Sequence, residues 1–173
     1  MNEKQLLKIL HKQENSRECL VCGLENDFGL KASFYALETQ ELLAVFTGKN
    51  HHQSYPGRLH GGLTGAMLDE TIGRAIMLDK PDIFGVTVEL NVKYKRPVPL
   101  DEEVKVIGRI VKSNRKLFEG TGEIILQDGT IAATATGKYM IMPLEKIMED
   151  QCELDWQVVE SDDDPKEVVL NKD

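Results

Sequence analysis

The stretch YPGRLHGGLTGAMLDETIGRAI, Tyr55 to Ile76, decides the fold, because it is the long helix candidate in a chain otherwise rich in strand signals. Ala66, Met67, Leu68, Ile72, Ala75 and Ile76 give it an apolar helical face, and His60-Gly61-Gly62 opens it. Asp69 stands in the middle, with Gly65 and Gly73 at i−4 and i+4, on its own side of the helix. An interior glycine costs roughly 1 kcal/mol against alanine, so two of them need a reason. Either a sheet packs closely there, or a lane is kept open for a substrate to reach the carboxylate. Asp69 is correspondingly a functional acid or an acid at an exposed helix edge. The glycines at the helix start leave free N–H groups pointing forward, which suits an anion or a developing oxyanion. They would equally permit a tight turn from loop to helix.

Downstream the period changes to two. Val86, Val88, Leu90, Val92 and Tyr94 alternate with polar residues until Pro97 and Pro99, the pattern of a half-buried strand over 85–96. Three more strands are expected near 103–112, 117–127 and 130–142, with turns at Asn114 and Asp128-Gly129. Upstream, 28–37 and 41–47 read as two strands joined at Glu38-Thr39-Gln40, and 3–13 as a short amphipathic helix carrying Leu6, Leu7, Ile9 and Leu10. The fold class is therefore α+β: an antiparallel sheet wrapped around one long central helix, with a short N-terminal helix. One domain spans 1–143, followed by an acidic tail, 144–173, in which SDDDPKE at 161–167 has the composition of solvated chain.

The 173 residues carry a net charge of −8. Eleven acids and three bases fall in the last thirty positions, so the charge belongs to the tail and the main domain is neutral. No basic stripe suggests nucleic acid, and no apolar run approaches the ~20 residues of a membrane span. The charged start MNEKQLLKIL does not read as a signal peptide, so a cytoplasmic location is expected. Cys19-Leu-Val-Cys22 is half a zinc knuckle, a redox pair or a structural turn; Cys152 is remote, no second close Cys/His pair follows, and no metal site is assigned.

Geometry adds a condition. Gly61 and Asp69 lie about 12 Å apart along the helix, at ~1.5 Å per residue. A carbonyl and the water attacking it must meet within ~3–3.5 Å. One helix cannot serve both ends of that reaction. Two antiparallel helices across a two-fold axis can, so an enzyme working this way must be at least a dimer, and the strand 85–96 is a candidate edge for subunit pairing.

LHGGLTGAMLDE together with GVTVELNVKYKRPV resembles the hotdog-fold acyl-CoA thioesterases of the phenylacetyl-CoA thioesterase type. CLVCGLENDFGLKASF is similar to the CxxCGxxNPxGL lead-in of one branch of that family, with Asp27 in place of the proline; the likeness covers about 19–142. The resemblance implies an acyl-CoA thioester hydrolase without a cofactor. Its active sites would lie at the interfaces of a homodimer or homotetramer, each binding an acyl-CoA. It places the catalytic carboxylate on Asp69 and the amide that polarises the carbonyl on Gly61 of the partner subunit, beside His60 and Gly62. The Asn or Gln helper found in the family falls on Ser54, with Gln53 and His52 beside it, and an occasional strand hydroxyl falls on Thr87. Lys93, Lys95 and Arg96 are either ligands for the CoA phosphates or ordinary surface cations. Glu70, about 100° around the helix from Asp69, is expected to be solvated or salt-bridged, and His51 a plain loop residue. Met67, Met77 and Phe84 suggest a greasy or aryl acyl group. A non-catalytic hotdog module that binds acyl thioesters is the alternative reading; a hydratase on the same fold would carry its His and acid differently.

Overall fold

The computed structural model describes residues 3–147 and 156–172. Five strands enclose the helix α1 (Gly61–Arg74): β4 (Leu42–Thr47), β5 (Ile83–Tyr94), β6 (Glu103–Ser113), β7 (Leu117–Ile125) and β8 (Ile131–Pro143). With β3 (Ser33–Leu37), β1 (Glu3–Lys12) and β10 (Glu167–Lys172) they form one sheet in the order β10-β1-β3-β4-β6-β7-β8-β5. Every pairing is antiparallel, and β3–β4, β6–β7 and β7–β8 join strands consecutive in the chain. A two-residue pair, β2 (Asn15–Ser16) with β9 (Trp156–Gln157), and the single turn α2 (Leu144–Ile147) complete the described chain.

Helix and sheet touch because the sheet carries glycines where the helix crosses it. A Cβ on Gly108 would stand 2.6 Å from the Thr71 carbonyl oxygen, and one on Gly120 would stand 2.4 Å from Ile72 Cγ2. The helix therefore settles its Met67, Leu68 and Ile72 side chains, all fully buried, among Phe34, Leu42, Val106, Phe118 and Ile124. Each such side chain contributes on the order of 1.5–3 kcal/mol on burial. Met67 is thus part of the core, and Phe84 meets Trp156 edge-on with centroids 6.0 Å apart.

Two expectations need correction. Residues 3–12 form a strand, not a helix. Leu7 is buried while Leu6 and Leu10 are 58% and 65% exposed, the two-fold alternation of a strand. Its partners are distant in sequence: Leu7 pairs with Val168 and packs with Leu170, Tyr35, Leu37, Leu43 and Ile107 in a second cluster. By strand alternation this cluster lies on the sheet face away from α1. A short apolar run does not determine its own period, and here long-range pairing decides it. For the same reason residues 161–167 are not merely solvated. Asp164 accepts a hydrogen bond from Tyr35 at 2.7 Å and an ion-paired one from Lys12 at 2.8 Å, which delivers the chain into β10. Residues 148–155, Cys152 among them, lie outside the described residues.

The phase of β5 also differs from simple alternation. A bulge between Thr87 and Glu89 turns Val88 out to 62% exposure. Before it Gly85 and Thr87 face α1; after it Leu90, Val92 and Tyr94 do. The bulge re-aims one hydroxyl toward the helix without moving the apolar half of the strand.

Candidate active site

His60 starts α1. Its backbone is extended, at φ −61 and ψ 133, and its Nδ1 accepts the Gly62 N–H at 2.9 Å, while its carbonyl accepts from Thr64 N at 3.0 Å. The Gly61 N–H has no acceptor among the described residues, so it is a free donor at this helix start. Tyr94 leans over it and donates to the Gly61 carbonyl at 2.8 Å.

Eight residues on, Asp69 is half-buried between the helix and β5. Its Oδ1 accepts from Thr87 Oγ1 at 2.9 Å and from Tyr139 OH at 3.1 Å. Among the described residues nothing bonds Oδ2. Burial raises the carboxyl above its ordinary value, the two hydroxyls act against that, and Glu70 adds to it. Tyr139 is fully buried, stacked on Phe118 at 4.9 Å, and held protonated by its burial and by the charge of Asp69. The result is one fixed carboxylate with one oxygen occupied and one available, a geometry suited to a base or a nucleophile.

The flanking glycines separate in role. A Cβ on Gly73 would lie 3.5 Å from the Gly85 carbonyl oxygen and 3.4 Å from Tyr139, in close helix–strand packing. Around Gly65 the nearest atom is Tyr94 OH, at 3.6 Å, so that position is open.

The remaining sequence candidates scatter. His52 is buried with both ring nitrogens engaged: Nδ1 accepts from Lys49 N at 2.9 Å, which leaves Nε2 to donate to Phe28 O at 2.9 Å. It is a loop anchor whose burial lowers its basicity. Gln53 bridges Leu59, Ser54 N–H reaches Arg58 O, and both side chains are exposed near the helix start. Lys93 lies on the face of β5 opposite Tyr94, at a shallow cavity of about 460 Å³ with Asn91, Thr121, Glu123 and Thr134. Lys95 and Arg96 follow the strand, exposed, with their N–H groups on Ala132 O. Within one protomer, then, Asp69 meets Thr87, and neither Gly61 nor the lysines join it. Tyr139 and Tyr94 were not legible as site residues; the only cue was that each is a lone aromatic with a polar end in its strand.

A single long helix cradled by an antiparallel sheet is the hotdog architecture. The profile described as the thioesterase superfamily matches residues 56–133. Acyl-coenzyme A thioesterase THEM4 of Mus musculus is 30% identical over 116 residues, covering 66% of this chain and 49% of its own. Acyl-coenzyme A thioesterase 13 of Mus musculus is 28% identical over 105 residues, covering 56% of this chain and 75% of its own. A crystal structure of a thioesterase superfamily protein superposes with TM-score 0.66 at 26% identity, covering 72% of this chain and 60% of that one. A hypothetical thioesterase of Streptococcus pneumoniae, solved with coenzyme A, shares the fold at TM-score 0.55 and 21% identity, covering 60% of this chain and 82% of its own. The chain spans about half the length of THEM4. Its residues 56–133 match the thioesterase superfamily, and the relatives above carry that family's name.

Proposed function

We propose that the chain hydrolyses acyl-CoA thioesters in a homo-oligomer whose sites combine Asp69 of one subunit with the Gly61 amide of another. The observation that carries this reading is the Asp69 carboxylate, held through Oδ1 by Thr87 and Tyr139 with Oδ2 left for chemistry. A module that only bound thioesters would gain nothing from a half-buried carboxylate beside the ligand.

In the reaction the thioester carbonyl oxygen accepts the Gly61 N–H, aided by the positive end of α1. Asp69 Oδ2 takes a proton from water as the water oxygen bonds to the carbonyl carbon, or attacks that carbon itself to give an anhydride that water then opens. The C–S bond breaks, and the CoA sulfur leaves with a proton. Tyr139 and Thr87 keep the carboxylate in one rotamer and favour its charged form. The edge position of β5, next to β8 alone among the described residues, supports pairing with a second copy there, antiparallel and across a two-fold axis. The designation of the curated relatives as acyl-coenzyme A thioesterases supports the substrate class. No helix among the described residues is long and apolar enough to cross a membrane.

The test is free-thiol release from short, medium, long and aryl acyl-CoAs by wild type and Asp69→Ala, with folding and oligomeric state checked for both. Hydrolysis lost by at least ~100-fold in the variant supports the reading. Equal rates remove Asp69 from the chemistry. Binding of acyl-CoA without hydrolysis by either protein would make the chain a non-catalytic module.

A further inference from the structure

The lead-in CLVCG has no part in the chemistry above, yet it is built to a specific shape. Cys19 Sγ accepts the N–H groups of Val21 at 3.3 Å and Cys22 at 3.5 Å, and Gly23 N closes the turn on Cys19 O at 2.8 Å. A Cβ at Gly23 would fall 2.4 Å from that oxygen, so the turn admits only glycine there. The second cysteine of the turn brings its sulfur to the same side. The third member comes from the helix: Glu70 Oε1 and Oε2 lie 3.9 and 3.8 Å from Cys19 Sγ. One atom each from Cys19, Cys22 and Glu70 lies within 4.8 Å of the other two.

We propose that Cys19, Cys22 and Glu70 bind one tetrahedral divalent ion of the zinc class, fastening the lead-in turn to the C-terminal half of α1. Three features support this. Zinc holds sulfur at ~2.3 Å and carboxylate oxygen at ~2.0 Å, which puts two such ligands about 3.5 Å apart at a tetrahedral angle, close to the separation here. Two backbone N–H groups aimed at one sulfur suit a thiolate, and a thiolate beside a carboxylate needs a cation between them. Arg74 Nε is spent on the far side, on Glu70 Oε1 at 2.8 Å, and its Nη2 reaches Cys22 Sγ at 3.1 Å rather than Cys19.

Arg74 itself then acquires a reason. It is fully buried, donating also to Glu14 O at 2.9 Å and stacked between Phe34 and Trp156 at 4.4 and 4.8 Å. Two thiolates, one carboxylate and a dication sum to −1, and the guanidinium brings the cluster to zero. An outer-shell donor to ligand sulfur and ligand carboxylate is what such a site requires. Thiolates select zinc over magnesium or calcium. The fourth position is left to solvent or to Ser16 Oγ, 3.7 Å from Cys22 Sγ. Glu70 points away from Asp69, so the ion is structural and takes no part in hydrolysis. Binding releases the cysteine protons to solvent.

The experiment uses the 173-residue chain with Cys152→Ser, so that every thiol signal comes from the pair. Chelator-treated protein is titrated with cobalt(II), then zinc. One equivalent of cobalt with thiolate-to-metal charge-transfer absorption and tetrahedral d–d bands, both abolished by stoichiometric zinc, is the expected result. Cys19→Ser and Glu70→Gln in the same background should weaken binding by more than the ~10–100-fold that outer-shell changes cost, with folding confirmed by circular dichroism. The unmutated site is decisive even if a variant misfolds. Absence of the charge-transfer bands, a Cys19–Cys22 disulfide in protein purified without reductant and resistant to metal, or unchanged affinity in folded Cys19→Ser would each overturn the proposal.

Discussion

Tyr139 OH donates to Asp69 Oδ1 across 3.1 Å, from β8 to the middle of α1. The bond opposes the burial that raises the Asp69 carboxyl. Tyr139→Phe removes the donor and leaves the ring on Phe118. The carboxyl then rises further, so the acid limb of the kcat/KM–pH profile moves to higher pH while the alkaline plateau falls less. Thr87→Val moves the limb in the same direction. A profile unmoved by both substitutions would show that Asp69 ionisation does not govern the rate.

The same shift has a stability sign. A carboxyl raised in the folded state binds its proton more tightly folded than unfolded. Its contribution to stability is therefore full at low pH and is lost as pH rises from the ordinary value near 3.8 through the folded one. Asp69→Asn removes a half-buried charge, so at neutral pH its Tm should exceed that of wild type, by roughly 2–4 °C for each kcal/mol gained. Thermal melts across pH 3–8 check this; a variant that melts lower at pH 7 contradicts it.

Glycines of the helix and of the sheet should respond oppositely to alanine. Gly65→Ala meets nothing nearer than Tyr94 OH at 3.6 Å and gains helix propensity, so it should stabilise by about 1 kcal/mol. If its open space is the substrate's approach, kcat/KM falls at the same time. Gly108→Ala presses on the Thr71 backbone and should destabilise by ~1–3 kcal/mol or more. Urea unfolding of the pair, beside steady-state rates, reads both effects.

Residues from the acidic tail are part of the sheet. Leu170 is 8% exposed within the cluster of Leu7, Tyr35 and Ile107. Leu170→Ala should cost about 2–5 kcal/mol, whereas Val169→Ala, at a 47% exposed position of the same strand, should cost well under half of that. Equal, small effects in denaturant unfolding would mean that β10 is not held in the folded protein.

What the sequence made legible followed from local period. Met67, Leu68 and Ile72 mark one helix face, and the runs of β5 to β8 are long enough to show their alternation. The strand at Glu3–Lys12 was hidden because its partner lies at Glu167–Lys172, and LLKIL alone fits either period. The bulge at Val88 was hidden because GVTVELNV keeps an unbroken apolar–polar alternation across it, with nothing local to mark the change of phase. Asp69 was findable as an acid among apolar neighbours. Tyr139 was not, since its hydroxyl meets Asp69 only through the pairing of β8 with β5, Thr87 opposite Tyr139. Arg74 is the sharpest case: an arginine in a last helical turn reads as surface, and only the tertiary structure shows it buried under Trp156.

The central claim is that one site takes Gly61 from one subunit and Asp69 from another, and subunit mixing tests it most directly. Gly61→Pro deletes the amide at the first helical position, where proline is tolerated, and the extended backbone of His60 suits a following proline. Alone it should lower kcat by ~10²–10³-fold, and Asp69→Ala by at least ~100-fold. Equal amounts of the two inactive variants, unfolded and refolded together, form mixed dimers with one intact site each, restoring about one quarter of wild-type activity. Activity no greater than the sum of the two variants alone, in mixed dimers verified by mass, would contradict the shared site.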